Sequence, residues 1–181
     1  LSGVYLTDEN NAIVTGNELL LTTDGGNSWS TSDTVKGNAV CFSDKNNGTI
    51  VGTEGVILRT TDAGSHWFSQ RSAPWRDLYA VDFVDSLTGT AVGDKGTIIR
   101  TTDGGTNWLL QYSWTQEKLH GVSFPDADHG TVVGEDGFIS HTTDGGDNWH
   151  RQTSWTDSPL FGVAFVDTNN GVAVGHRSLL L

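Results

Sequence analysis

Short runs of alternating apolar and polar residues, broken by polar or glycine-rich turns, recur along the whole chain. No segment keeps an apolar period of 3.6 residues long enough to predict a helix. Val81 and Phe83 alternate with Ala80 and Asp82, while Thr97, Ile98 and Ile99 lead into Thr101, and both runs predict β-strands by alternation and β-branched content. The runs are in register with one another. The string T-T-D-G-G-N-S-W at Thr22 returns as T-T-D-A-G-S-H-W from Thr60, T-T-D-G-G-T-N-W from Thr101 and T-T-D-G-G-D-N-W from Thr142. A second signature precedes each box: G-V-Y-L-T-D at Gly3, A-V-C-F-S-D at Ala39, A-V-D-F-V-D at Ala80, G-V-S-F-P-D at Gly121 and G-V-A-F-V-D at Gly162. Between them lies a third, ending in Gly16, Gly52, Gly93, Gly134 and Gly175.

A unit therefore reads as four strands in about forty residues, which is the period and content of a β-propeller blade. The tight turns V-G-T-E-G, V-G-D-K-G and V-G-E-D-G bracket two polar residues with glycines that tolerate positive φ, as hairpins require. The expected fold is all-β and a single domain, with four-stranded blades over about residues 1–36, 37–77, 78–118 and 119–159 and a partial fifth over 160–181. Leu1 aligns with Leu78, Leu119 and Leu160, and Leu181 with Leu21. The expectation is an open arc or a fragment of a larger propeller, with blade edges left for missing blades or for self-association with a second copy. The absence of Met agrees with a piece of a longer protein.

Composition removes several function classes. With 10 Lys and Arg against 22 Asp and Glu, the formal charge of −12 repels phosphate backbones, so nucleic acid is not expected as a partner. No apolar run approaches the ~20 residues of a membrane span. The 181 residues suffice for a core without metal or disulfide, and the single cysteine, Cys41, is expected to pack as a small apolar group. The six histidines show no ligand spacing, so neither metal nor cofactor is expected. Asn47-Gly48-Thr49 is a lone glycosylation sequon.

The pattern Ser/Thr-x-Asp-x-Gly-x-x-Trp resembles the Asp-box, or BNR repeat, of propellers that include sialidases. With V-x-F-x-D, A-V-G-x-x-G and I-I-R-T-T-D-G-G added, the whole unit looks more closely like the photosystem II stability and assembly factor family and its bacterial relatives, over essentially the full chain. That resemblance implies a propeller of usually seven blades, a periplasmic, lumenal or extracellular location, and a function of binding other proteins without catalysis. Only the first box keeps Ser or Thr before its Trp, at Ser28; His66, Asn107 and Asn148 stand in the others, which is expected to alter a local hydrogen bond.

Within the boxes, Thr22, Thr60, Thr101 and Thr142 open the turn, and Asp24, Asp62, Asp103 and Asp144 are expected to accept backbone N–H groups across it. Gly26, Gly64, Gly105 and Gly146 supply φ angles that other residues resist, and Trp29, Trp67, Trp108 and Trp149 cover the blade edge. These are structural staples. The candidate binding residues lie elsewhere. Trp75, Trp114 and Trp155 follow a box Trp by six to eight residues, on loops that share a propeller face with the glycine hairpins; they serve either as aromatic anchors or as covers folded over the groove between blades. Arg59 and Arg100 precede boxes at a position held by His141 and Leu21 in other blades, Arg71 and Arg76 flank Trp75, and Arg177 sits in the last glycine hairpin. The resemblance implies that such basic residues contact an acidic partner segment, against the alternative of a solvated face with paired carboxylates.

Catalysis demands more than the sequence offers. A sialidase needs an arginine cluster, a tyrosine nucleophile paired with a carboxylate and an acid/base Asp. Tyr5, Tyr79 and Tyr112 are the only tyrosines, and no Arg-Ile-Pro segment is present. Asp82 is the only acid within an inner strand, its counterparts being Tyr5, Cys41, Ser123 and Ala164. The expectation is a scaffold that binds a protein or peptide. A glycan-binding role or part of an Asp-box glycoside hydrolase is the alternative, and no catalytic residue is assigned.

Overall fold

The computed structural model describes residues 1–32, 35–70 and 75–176. Each repeat unit is an antiparallel sheet. β1 (Gly3–Leu6), β2 (Ala12–Thr15), β3 (Leu19–Thr22) and β4 (Ser30–Ser32) form the first sheet in chain order. The second holds β5 (Ala39–Phe42), β6 (Gly48–Val51), β7 (Ile57–Thr60) and β8 (Phe68–Gln70), and the third β9 (Leu78–Phe83), β10 (Gly89–Gly93), β11 (Ile98–Thr101) and β12 (Leu109–Gln111). The fourth holds β13 (Leu119–Ser123), β14 (Gly130–Gly134), β15 (Ile139–Thr142) and β16 (His150–Gln152), and β17 (Leu160–Phe165) pairs with β18 (Gly171–Gly175). This is an all-β propeller of four complete blades and part of a fifth. The strand expected at residues 177–181, with Arg177 and Leu181, lies outside the described residues. No helix among the described residues is long and apolar enough to cross a membrane.

The core sits in the seams between sheets. Ile13, Leu19, Val40, Phe42 and Ile50 join the first two sheets; Val51, Ile57, Leu78, Phe83 and Ile99 join the second and third; Val92, Ile98, Leu119, Phe124 and Phe138 join the third and fourth. Val133, Ile139, Leu160 and Ala173 continue the series. The innermost strands stack on their neighbours, β13 packing against both β9 and β17. At the first sheet Val4 and Leu6 stay exposed, and at the last pair Phe161, Val172 and Val174 do.

One glycine position explains why the second strand of a blade starts as it does. A Cβ on Gly48, Gly89, Gly130 or Gly171 would lie within about 2.3–2.5 Å of the ring of Phe42, Phe83, Phe124 or Phe165 in the paired strand. The first blade carries Leu6 at the phenylalanine position, and opposite it stands Ala12. Ring and missing Cβ are coupled within each blade.

The glycine hairpins differ in detail from the sequence expectation. In the short 3-10 turns Thr53–Gly55, Asp94–Gly96 and Glu135–Gly137, positive φ falls on Glu54, Lys95 and Asp136 (55, 53 and 53°) and on the glycine after each. The opening glycines Gly93 and Gly134 are extended, a conformation open to any residue. They are small because a Cβ there would lie 1.9 Å from Asp77 O and 2.1 Å from Lys118 O.

Candidate functional site

The boxes are closed hydrogen-bond circuits. Thr22 Oγ1 donates to Asp24 Oδ1 at 2.8 Å and accepts the N–H of Gly26 at 2.9 Å. Asp24 Oδ1 then accepts the N–H of Ser28 at 2.9 Å. The Thr60-Asp62-Gly64, Thr101-Asp103-Gly105 and Thr142-Asp144-Gly146 turns repeat these bonds. The four glycines sit at φ of 87 to 90°. The residue before the tryptophan was expected to alter a bond and does not. Ser28 Oγ, His66 Nδ1, Asn107 Nδ2 and Asn148 Nδ2 each lie 2.6–2.8 Å from the second oxygen of their box carboxylate. These bonds hold the Asp24, Asp62 and Asp144 carboxyls down to about 2, side-chain donor first and backbone N–H next. Asp103 is lowered in the same way, its backbone donor counting most.

Blade-to-blade ties use residues that the sequence pattern leaves unmarked. Gln70 Nε2 donates to Gly104 O at 2.9 Å, and its Oε1 accepts the indole N–H of Trp108 at 3.4 Å; Gln111 treats Gly145 and Trp149 alike. Trp67, Trp108 and Trp149 stand edge-on to Phe42, Phe83 and Phe124. In the first blade Ser32 takes the glutamine register, and the buried indole nitrogen of Trp67 has no hydrogen-bond partner among the described residues. Glutamine spaced at the blade period was the legible signal.

The arginines before the boxes belong to the same seams. Arg59 and Arg100 are only 7% and 9% exposed, where the sequence reading had them on a contact face. Arg59 lies over the Phe83 ring at 5.1 Å and donates to Thr49 Oγ1 and Ser86 O. Arg100 lies over Phe124 at 4.8 Å and donates to Thr90 Oγ1 and Ala127 O. In both, the planar guanidinium covers an aromatic face while its N–H groups reach a hydroxyl and a carbonyl. Arg71 lies outside the described residues.

Toward the propeller axis, Asp82 Oδ2 accepts the N–H of Phe124 in the next blade at 2.7 Å, and Ser123 Oγ accepts that of Phe165 at 3.0 Å. Cys41 Sγ lies 3.9 Å from Asp82 Oδ1. Burial raises the Asp82 carboxyl and, with the Asp82 charge second, pushes the Cys41 thiol up to about 12, so this thiol is a poor nucleophile. These side chains stitch inner strands together. Among the described residues, no group of three His, Cys, Asp or Glu side chains is placed to hold a metal ion.

The face bearing the blade connections is different. Trp75, Trp114 and Trp155 are 83%, 83% and 91% exposed, so none is folded over a groove. Trp114 and Trp155 share one position, with φ of 58 and 57°, and Trp75 falls two places later in its loop, level with Gln116 and Asp157. Left-handed backbone at a bulky residue costs on the order of 1–3 kcal/mol and persists only where its surroundings fix it. Here the fixing parts are visible. Buried Ser113 Oγ accepts the N–H of Thr115 and donates to its carbonyl, Thr115 Oγ1 accepts the N–H of Glu117, and Ser154, Thr156 and Ser158 repeat this. Gly96 and Gly137 press from below, where a Cβ would meet Thr115 O at 2.3 Å and Thr156 O at 2.0 Å.

Trp114 and Trp155 each border an open hollow. One, of about 440 Å³, is lined by Arg76, Lys95, Leu110, Tyr112 and Trp114 among others; the other, of about 580 Å³, by Asp136, Arg151, Trp155 and Asp157. Arg76 Nη1 is held by Lys95 O at 3.3 Å and Thr97 Oγ1 at 3.5 Å, so the structure brings Arg76 and Trp114 to one hollow. Beside the connections, Tyr79, His120 and Phe161 form an aromatic row across three blades at centroid separations of 5.8 and 5.3 Å. The common signal was an aromatic ring after the first leucine of the last three sheets, at Leu78, Leu119 and Leu160.

A family model described as photosynthesis system II assembly factor YCF48 matches residues 75–157. No curated protein matches the chain in sequence. Among solved structures, YCF48 bound to D1 peptide is similar with a TM-score of 0.73 at 23% identity, over 95% of this chain and 58% of that one. YCF48 from Cyanidioschyzon merolae gives 0.52 at 15% identity, over 99% and 94%. An ancestral GH74 enzyme gives 0.75 at 16% identity, over 97% of this chain and 29% of its own length. The chain is thus an Asp-box propeller resembling the photosystem II assembly factor, and it spans 58% of the first of these structures.

Proposed function

We propose that the chain is a non-catalytic scaffold that holds a protein or peptide segment on the face of its blade connections, with Trp114 and Trp155 as anchors. The observation that carries the reading is the pair of tryptophans, almost fully exposed yet locked at left-handed φ by buried serines and close-packed glycines. Rigid exposed indoles bury a large area with little loss of entropy, which is what an interface anchor requires. Trp75, Arg76 and the Tyr79–His120–Phe161 row extend the same surface. Arg59 and Arg100 contribute through the seams that align the blades, not by contact. The D1 peptide bound by one similar propeller supports a peptide as the class of partner. The setting proposed for this chain is the periplasmic, lumenal or extracellular one that the repeat resemblance implies.

The test is selection of a random peptide display library on the chain. Selected peptides should lose at least about tenfold in affinity, ~1.4 kcal/mol, on Trp114→Ala/Trp155→Ala. Peptides that bind this variant unchanged would refute the site. Release of reducing sugar from a β-glucan, lost on Asp82→Asn, would favour the hydrolase reading that the GH74 likeness raises.

A further inference from the structure

The hollows at Trp114 and Trp155 share a backbone but differ in charge. Lys95 and Asp136 occupy the same hairpin position at the same φ of 53°. Lys95 and Arg76 line the Trp114 hollow, and among the described residues no Asp or Glu lines it. Asp136 and Asp157 line the Trp155 hollow, where Arg151 is engaged over the Phe138 ring at 5.5 Å. The two hollows belong to consecutive blades, since β13 packs between β9 and β17.

We propose that these hollows are the two halves of one track and that its occupant is an extended protein segment of mixed charge, an acidic residue beside Trp114 and a basic residue beside Trp155. The inference rests on the docking face proposed above and names the chemistry of its partner. A carboxylate over the first hollow meets two cations, and an ammonium or guanidinium over the second meets two carboxylates and the indole face. A segment of one sign is matched in one hollow and opposed in the other, so the track discriminates by charge order as well as by shape. With packed sheets ~10 Å apart and ~3.3 Å per extended residue, the two charged residues are separated by at least about three residues.

The experiment is calorimetric titration of the chain with short synthetic peptides of one Ser/Leu/Tyr composition, bearing an acid and a base, two acids or two bases at that spacing. The mixed peptide is expected to bind at least about tenfold tighter than either single-sign peptide. Lys95→Asp should shift the preference to the basic peptide and Asp136→Lys to the acidic one; both sites are exposed hairpin tips, and thermal melting checks that the variants fold. A ranking that ignores these substitutions, or a mixed peptide that does not bind, overturns the track. Binding that ignores charge yet is lost on Trp114→Ala leaves the docking face standing without the track. Binding that survives both tryptophan substitutions removes the docking face itself.

Discussion

His66 Nδ1 lies 2.6 Å from Asp62 Oδ2, the place that the Ser28 hydroxyl holds against Asp24 and the Asn148 amide against Asp144. A hydroxyl, an imidazole and an amide thus make one bond, because the turn asks only for a donor four residues after the carboxylate. His66→Asn is therefore expected to melt within a degree or two of the parent, and His66→Leu lower than both. Equal melting of the two variants would show that the bond is idle.

Coupling of ring and missing Cβ gives a second expectation. Gly89→Ala places a Cβ about 2.5 Å from the Phe83 ring and should cost on the order of 2–3 kcal/mol through overpacking. Adding Phe83→Leu restores the Leu6/Ala12 pair of the first blade and should recover part of that loss, as a double-mutant cycle by urea unfolding would measure. Strict additivity would contradict the coupling.

Much of this was legible in the sequence. Four boxes in register gave blade number, strand order and the box circuits, since each residue of the box acts on its own turn. The glutamines recur visibly at the blade period, but their partners were not legible, because Gln70 acts on Trp108 and Arg100 on Phe124 across a blade boundary, and within one repeat a buried arginine reads as a surface one. Exposure of Trp114 was likewise undecided in the sequence, since it follows from the backbone φ and the supporting Gly96; Trp114 and Trp155 share one loop position, and Trp75 falls two places later.

The glutamine register of the first blade, held by Ser32, can be given a glutamine. Ser32→Gln should bring an acceptor to the buried Trp67 indole, as Gln70 does for Trp108, and stabilise by about 1 kcal/mol, ~2–4 °C in melting temperature. Ser32→Ala is the control and should gain nothing. A glutamine that stabilises no more than alanine would show that Trp67 needs no acceptor.

Stability should fall in acid in two stages. The box carboxyls lie below the ordinary Asp range when folded, Asp24, Asp62 and Asp144 near 2, so the folded state binds fewer protons than the unfolded state between about 4 and 2. Their contribution is complete above pH ~4 and is lost as pH falls through that window. His141 is lowered by burial, then by His129 and, less, by His150, so its share is lost earlier, as pH falls below ~6.5. His141→Arg, which restores the residue of the two preceding blades, should remove the earlier stage and leave the later one. Melting temperatures across pH check both, and a pH-independent melt down to about 3 would contradict the carboxylate part.

A partner segment seated on the two tryptophan loops would shield their backbone amides from solvent. Hydrogen exchange of the chain, alone and saturated with a display-selected peptide, tests it most directly. New protection is expected at residues 112–117 and 153–158 and at the adjoining hairpin tips around Lys95 and Asp136, with the box turns unchanged. Protection confined to the box turns, or to the inner strands around Asp82, would contradict it.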